Sequence, residues 1–277
     1  MDQRPTLEGT PKPTPGLSQK HIALCKSNNL TRKQPDNQHT IAISGGSRGI
    51  GRAIAQCFAR VGWRVAVAAR SAEALAKMHT HWAEAYPDAA LLTHAADLST
   101  AEGCRSFAQA IEQKGWTISV LVNNLGTFAP GTLLEGEEDQ LANFLQTNLL
   151  SAHYLTRSLM PQLRSAERAH LFTIGSVAVF DRPAPMAAYM LSKHVLHAWH
   201  ESLRTELTDT GVLTTLLVPG ATYTSSWDGI EVDPRTLLAP ETIANTIWDA
   251  WQHNQSRDTE QIIIRPKAND KNHKSSH

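Results

Sequence analysis

Between residues 39 and 266 the chain alternates short apolar runs with longer segments whose apolar positions recur every three to four residues. The runs 40–44, 64–69, 90–95, 118–122, 169–175, 213–218 and 261–265 are predicted strands. Most lack polar alternation, as strands covered on both faces do. The periodic segments 50–61, 71–86, 99–114, 137–164, 187–210 and 240–253 are predicted helices. Pro240 followed by Glu241 fits a helix start, and Pro161 limits further winding near the end of the fourth helix. Strands and helices in this alternation predict an α/β doubly wound parallel sheet of about seven strands, with helices on both faces, in a single domain. The ligand crevice of such a sheet lies outside the carboxyl ends of its strands, where the strand order reverses. The stretch 220–239 is longer than an ordinary connection and, following a strand end, is expected to act as a substrate lid.

The flanks read differently. Residues 1–38, with Pro5, Pro11, Pro13 and Pro15 among polar side chains, read as a disordered or loosely ordered extension, and 267–277 as a second polar tail. No hydrophobic segment stands behind those prolines, so no secretory signal is expected. No apolar run approaches the ~20 residues needed to span a bilayer. The formal net charge is zero, which gives no electrostatic case for nucleic acid or an anionic membrane as partner. Cys25, Cys57 and Cys104 show no metal or disulfide spacing, so a reducing, cytoplasmic compartment is expected, with Cys57 a small core residue.

Two groups of residues carry chemistry. The first is Ser44-Gly45-Gly46-Ser47-Arg48-Gly49-Ile50-Gly51, between a predicted strand and a predicted helix. Glycines let the backbone approach a ligand closely, and a helix N-terminus offers unpaired N–H groups to a pyrophosphate. The second is Ser176 with Tyr189 and Lys193. The last two, at i and i+4, share a helix face, and a serine from a strand end could meet both. Such a trio can give a proton to a carbonyl oxygen or take one from an alcohol. Other features carry less. His194, His197 and His200 step round their helix rather than converging, so no metal site is expected and they read as surface or subunit-contact residues. Tyr223, Trp227 and Ile230 suggest either an apolar pocket wall or a loop anchor. Trp248 and Trp251 suit a core or interface better than a substrate contact.

Further motifs stand in register along the chain: Asp97-Leu98 after the third strand, Asn123-Asn124-Leu125-Gly126 after the fourth, Asn148 within the fourth helix, and Pro219-Gly220-Ala221-Thr222-Tyr223-Thr224 after the sixth. Together with the glycine loop and the trio they resemble the short-chain dehydrogenase/reductase family, over essentially all of 39–266. The resemblance implies a Rossmann-type fold and a set of roles. Tyr189 would be the general acid/base, Lys193 would favour its phenolate and hydrogen-bond the nicotinamide ribose, and Ser176 would hold the carbonyl oxygen. Asn148 would bind a water linking Lys193 to solvent. Gly45, Ser47, Arg48, Gly49, Ile50, Gly51, Asp97, Leu98, Asn123, Gly126, Pro219, Gly220, Thr222 and Thr224 would meet the cofactor, Asp97 through the adenine amino group and Thr224 through the carboxamide. The family's usual threonine and alanine are replaced by Ser44 and Leu125. The first keeps a hydroxyl; the second adds bulk beside the cofactor and is expected to shift the turn.

The second predicted strand ends in Ala68-Ala69-Arg70, without the acid that accepts a ribose hydroxyl in NAD sites. Arg70 and Arg48 can instead grip a 2′-phosphate, so NADP(H) is the expected cofactor. The expected activity is hydride transfer between NADP(H) and a small-molecule carbonyl or secondary alcohol of fairly apolar character. Reduction of a 3-oxoacyl thioester is one candidate, and a non-catalytic NADP(H)-binding sensor or scaffold is the alternative. The long apolar-rich helices suit a homodimer or homotetramer.

Overall fold

In a computed structural model of the chain, residues 39–182, 185–225, 232–253 and 259–266 are described; residues 1–38 and 267–277, with Trp227 and Ile230, lie outside them. Seven strands form one sheet: β1 (Thr40–Ser44), β2 (Arg64–Ala69), β3 (Leu91–Ala95), β4 (Val120–Asn123), β5 (Ala169–Ile174), β6 (Val212–Pro219) and β7 (Gln261–Ile264). Their order is β3-β2-β1-β4-β5-β6-β7, and every neighbouring pair is parallel. The chain works outward from β1 to β3, then crosses back to β4 on the other side of β1. That reversal between β1 and β4 opens the crevice predicted for a doubly wound sheet.

Each strand feeds two cores at once, because successive side chains leave a strand on opposite faces. Ile41 and Ile43 pack on one face with Ile54 and Phe58 of α1 (Gly49–Ala59), Trp82 of α2 (Ala72–Ala85) and Trp251 of the last helix. Ala42 faces the other core, with Phe107 and Ile111 of α3 (Ala101–Gln113) and Leu155 and Leu159 further along. Cys57 and Trp251 are buried, as the sequence pattern suggests, and Trp248 packs edge-on against Phe58 and Trp63. The starts of α2 and α3 are fixed by side chains: Ser71 accepts from the Ala74 N–H and Thr100 from the Gly103 N–H.

The predicted single helix 137–164 is three pieces: α4 (Gln140–Phe144), a π-helical segment (Leu145–Leu150) and α5 (Ser151–Ser165). Pro161 lies inside α5, which winds on to Ser165. A four-residue helix that the pattern does not announce, α6 (Ala178–Asp181), follows β5. Then come α7 (Ala187–Leu207), three residues shorter than expected, and α8 (Pro240–His253).

Candidate active site

The glycine loop joins the carboxyl end of β1 to α1, and Ser44 ties it down. Its Oγ donates to the Val122 carbonyl (3.3 Å) and accepts the N–H groups of Asn124 and Leu125, each at 2.9 Å. Asn124 returns the contact, its Nδ2 donating to the carbonyls of Ser44 (2.8 Å) and Gly45 (3.2 Å). At Gly51 an added Cβ would stand 2.5 Å from the Gly45 carbonyl oxygen, so only glycine lets the first turn of α1 fold against the loop. Arg48, at the N-cap, is extended and makes no side-chain cap. The leading N–H groups of α1 are thus left to a ligand.

A cavity of about 360 Å³ lies over this helix end, bordered by Gly45, Ser47, Arg48, Gly49 and Ile50 on one side and by Ala69 and Arg70 on the other. An uncapped helix N-terminus, two guanidiniums and no acid at the end of β2 together fit a dinucleotide bearing an extra phosphate. Leu125 folds onto Gly45, with its Cδ1 3.3 Å from where a Cβ there would be, so its bulk becomes cavity wall. Ala96 and Leu98 approach the cavity from the segment just after β3. Asp97 does not border it: its Oδ1 accepts from Ser99 N (3.0 Å) and Oγ (2.7 Å), and the Ser99 bonds hold its carboxyl below the usual range.

Asn123 is placed differently from expectation. It is the last residue of β4, and its buried side chain donates to Thr156 Oγ1 (2.8 Å) on α5, away from both cavities. The strand's two-residue alternation turns the next residue, Asn124, toward the ligand side instead. Asn124 borders both cavities, and its position directly after a strand was the signal for it.

A second cavity, of about 510 Å³, holds the trio expected to do acid/base chemistry. Ser176, Tyr189 and Lys193 all border it, with Gly126, Pro219, Gly220, Thr222 and Thr224. Ile50, Asn124, Gly126 and Thr224 belong to both cavities, so the two are neighbours across the end of the glycine loop. The Tyr189 ring is held edge-on by Phe128 and Phe144, with ring centroids 5.2 and 6.0 Å away. Burial pushes its phenol above the ordinary value, and the hydrogen bond from Ser176 opposes that only in part. The sequence expectation, a phenol lowered by the Lys193 ammonium together with an oxidised nicotinamide, concerns the cofactor-bound site. Lys193 Nζ lies 5.9 Å from the ring centre and donates to the Ile174 carbonyl at 2.9 Å. Burial brings the lysine itself down to about 8.

Asn148 sits in the π-helical segment and is buried. Its Nδ2 donates to Ser192 Oγ (2.9 Å) and to the Thr127 carbonyl (3.2 Å), and its Oδ1 accepts from Thr127 N (2.8 Å). Three of its hydrogen-bonding positions are therefore committed to protein. Oδ1 still borders the space beside Gly126 that Lys193 Nζ also borders: a Cβ on Gly126 would be 3.3 Å from one and 3.5 Å from the other.

Two of the three helical histidines depart from expectation. His200 is fully buried and hydrogen-bonds Thr173 Oγ1 at 2.9 Å. His197 touches the active site, its Nε2 accepting from the Ser176 N–H at 3.4 Å. Four residues beyond Lys193, it lies on the same helix face as Tyr189 and Lys193. Tyr223 is 58% exposed and borders neither of these cavities.

Fold and site together define an oxidoreductase built on a dinucleotide-binding sheet. The short chain dehydrogenase family model matches residues 39–234, and the chain belongs to that family. It is similar to sepiapterin reductase of Chlorobaculum tepidum, 30% identical over 84% of this chain and 98% of the relative. It is also similar to a rhamnolipids biosynthesis 3-oxoacyl-[acyl-carrier-protein] reductase of Pseudomonas aeruginosa, 36% identical over 71% of this chain and 78% of that one. Among solved structures, a metagenomic short-chain oxidoreductase in complex with NADP superposes with a TM-score of 0.72 at 27% identity, covering 84% of this chain and 99% of the other.

Proposed function

We propose that the chain is an NADP(H)-dependent reductase interconverting a carbonyl and a secondary alcohol, with Tyr189 as the general acid/base. The observation that carries this reading is the shared cavity of Tyr189, Ser176 and Lys193, adjoining the uncapped N-terminus of α1. NADP(H) supplies or accepts the hydride. Tyr189 gives its proton to the carbonyl oxygen while the Ser176 hydroxyl hydrogen-bonds the same oxygen. Hydride at carbon and proton at oxygen complete the alcohol. A phenol raised by burial stays protonated at neutral pH and is set to donate. The Lys193 ammonium favours the phenolate left behind, and Asn148 keeps the neighbouring turn in place through Thr127 and Ser192.

Arg48 and Arg70 support NADP(H) over NAD(H), since both border the first cavity and no acid borders it with them among the described residues. Phe128, Val177, Ala178 and Met186 give the second cavity an apolar lining, which suits a fairly apolar substrate; a 3-oxoacyl thioester, the substrate class named for the Pseudomonas relative, is one candidate. Two buried cysteines that form no disulfide among the described residues, Cys57 and Cys104, suit a reducing, cytoplasmic compartment. The groove bordered by Leu149, Leu150, Val195 and Trp199 supports a homodimer or homotetramer, to be checked by sedimentation. The test of the activity is a panel of carbonyl compounds assayed for NADPH and NADH consumption. Turnover with NADPH preferred supports the reading; NADPH binding without turnover of any member favours a sensor instead.

A further inference from the structure

The wall of the second cavity carries an ion pair that the chemistry above does not use. Asp181, the last residue of α6, meets Arg265, just beyond β7, in a two-armed contact: Nη1 to Oδ2 at 3.0 Å and Nη2 to Oδ1 at 2.9 Å. Both side chains border the cavity that holds Ser176 and Tyr189. Apart from Lys193, which is buried against the Ile174 carbonyl, they are the only charged side chains bordering it among the described residues. The segments that carry them are also tied to the floor of the site. Val177 N–H donates to the Pro219 carbonyl, and Gly220 N–H to the Ile264 carbonyl. The fork is therefore held on both sides by backbone that also carries Ser176 and Gly220.

Two opposite charges in this arrangement cancel, and each is already satisfied. The Arg265 hydrogen bond holds the Asp181 carboxyl below its ordinary range, and the same contact raises the guanidinium. An anionic substrate would have to displace a tethered carboxylate from Arg265 and then sit beside it. A cationic one would meet the same obstacle with the signs exchanged. A neutral apolar body meets neither obstacle, and Phe128, Val177, Ala178 and Met186 give it an apolar stretch of wall to lie against.

Resting on the reductase reading, we propose that Asp181 and Arg265 set substrate charge selectivity: the part of the substrate beside the carbonyl is uncharged, and Asp181 keeps Arg265 from recruiting anions. The pair is thus a specificity device that works by occupancy. The proposal separates the two residues by sign. Removing Asp181 exposes a free guanidinium to the cavity and invites carboxylates. Removing Arg265 leaves a lone carboxylate that repels them. Removing both returns a neutral wall.

The experiment uses the full chain and two matched aldehydes, 4-carboxybenzaldehyde and methyl 4-formylbenzoate, which differ in one ionised group. For each, kcat/KM with NADPH and the binding constant to the NADPH-loaded protein by calorimetry are measured. Wild type is expected to favour the ester. Asp181→Asn is expected to shift the ester-to-acid ratio toward the acid by about threefold or more, mainly through KM, the worth of one ion pair at an exposed site. Arg265→Gln shifts it the other way, and the double variant returns near the wild-type ratio. A purely structural strap would weaken both aldehydes together in either single variant; an unchanged ratio overturns the proposal, as does a wild-type preference for the acid or failure of the ester to bind. If the binding ratio moves as stated with no turnover at all, the selectivity inference stands and the reductase reading falls.

Discussion

The backbone N–H of Ser176 donates to Nε2 of His197 at 3.4 Å, tying the serine's turn to the helix that carries Tyr189 and Lys193. The contact is close-fitting. A Cβ on Gly175 would stand 2.3 Å from the same nitrogen. Gly175→Ala is therefore expected to push the imidazole away and move Ser176, with kcat falling by about tenfold or more, because small misplacements of reacting groups are costly. NADPH affinity should hold, since Gly175 borders only the second cavity. Adding His197→Ala removes the clash and should recover part of the loss. Steady-state kinetics of the single and double variants check this; no recovery in the double variant would place the damage elsewhere.

Three histidines around β5 make the fold acid-sensitive. Burial pushes His197 and His200 down to about 4 and His170 to about 3. In the unfolded chain each titrates near 6.5. Between those values the unfolded state holds more protons, so stability must fall as pH falls from about 6.5 toward 4, and is unaffected by these groups above that window. The slope is at most about 1.4 kcal/mol per pH unit for each fully titrating histidine. Urea unfolding midpoints measured from pH 7 down to 4 should drop steadily. His200→Gln should flatten the slope, and a pH-independent midpoint in wild type would contradict the assignment.

Much of this was legible in the sequence, for physical reasons that also mark where legibility stops. β1, β2 and β5 are short apolar runs, and Ile41, Val65 and Leu171 have no alternative but burial. The glycine loop and the trio were readable because strand ends and helix faces fix their positions. The π-helical turn at Leu145–Leu150 was not, since one extra residue in a turn leaves the apolar period almost intact. α6 was hidden because four residues make too short a period to see. Asn123 was misplaced for want of the strand's exact end: one residue of register turns a side chain to the opposite face. His197 could have been found by extending the i, i+4 rule one step past Lys193. The pairing of Asp181 with Arg265 could not, since 84 residues of chain separate them and only the sheet order brings them together.

The lysine governs a second pH dependence. Burial lowers Lys193 to about 8, so its ammonium is present below that value and lost above it. The kcat/KM for NADPH in reduction is expected to decline as pH rises through about 8, because the group that would hold the nicotinamide ribose loses its charge. Lys193→Arg keeps a cation throughout and should move that limb to higher pH, at a reduced plateau, since a planar guanidinium does not reproduce the ammonium's geometry. A limb unmoved in Lys193→Arg would assign it to another group.

Arg48 and Arg70 should divide the task of cofactor choice. Replacing either with alanine is expected to weaken NADPH binding by about tenfold or more, the loss of one charge-assisted phosphate contact, and to leave NADH binding nearly unchanged. Fluorescence titration of both cofactors checks it. Equal losses for NADPH and NADH would mean that the arginines support the loop rather than read the phosphate.

The central claim, that Tyr189 is the proton donor beside a bound NADP(H), is tested most directly by NADPH consumption in Tyr189→Phe alongside wild type, with cofactor binding measured on the same samples. The phenyl ring keeps the edge-on contacts with Phe128 and Phe144 and lacks only the hydroxyl. Turnover should fall by about a thousandfold, within the range of lost acid/base catalysis, while NADPH binds as before. Undiminished turnover in the phenylalanine variant, with NADPH bound, would contradict it.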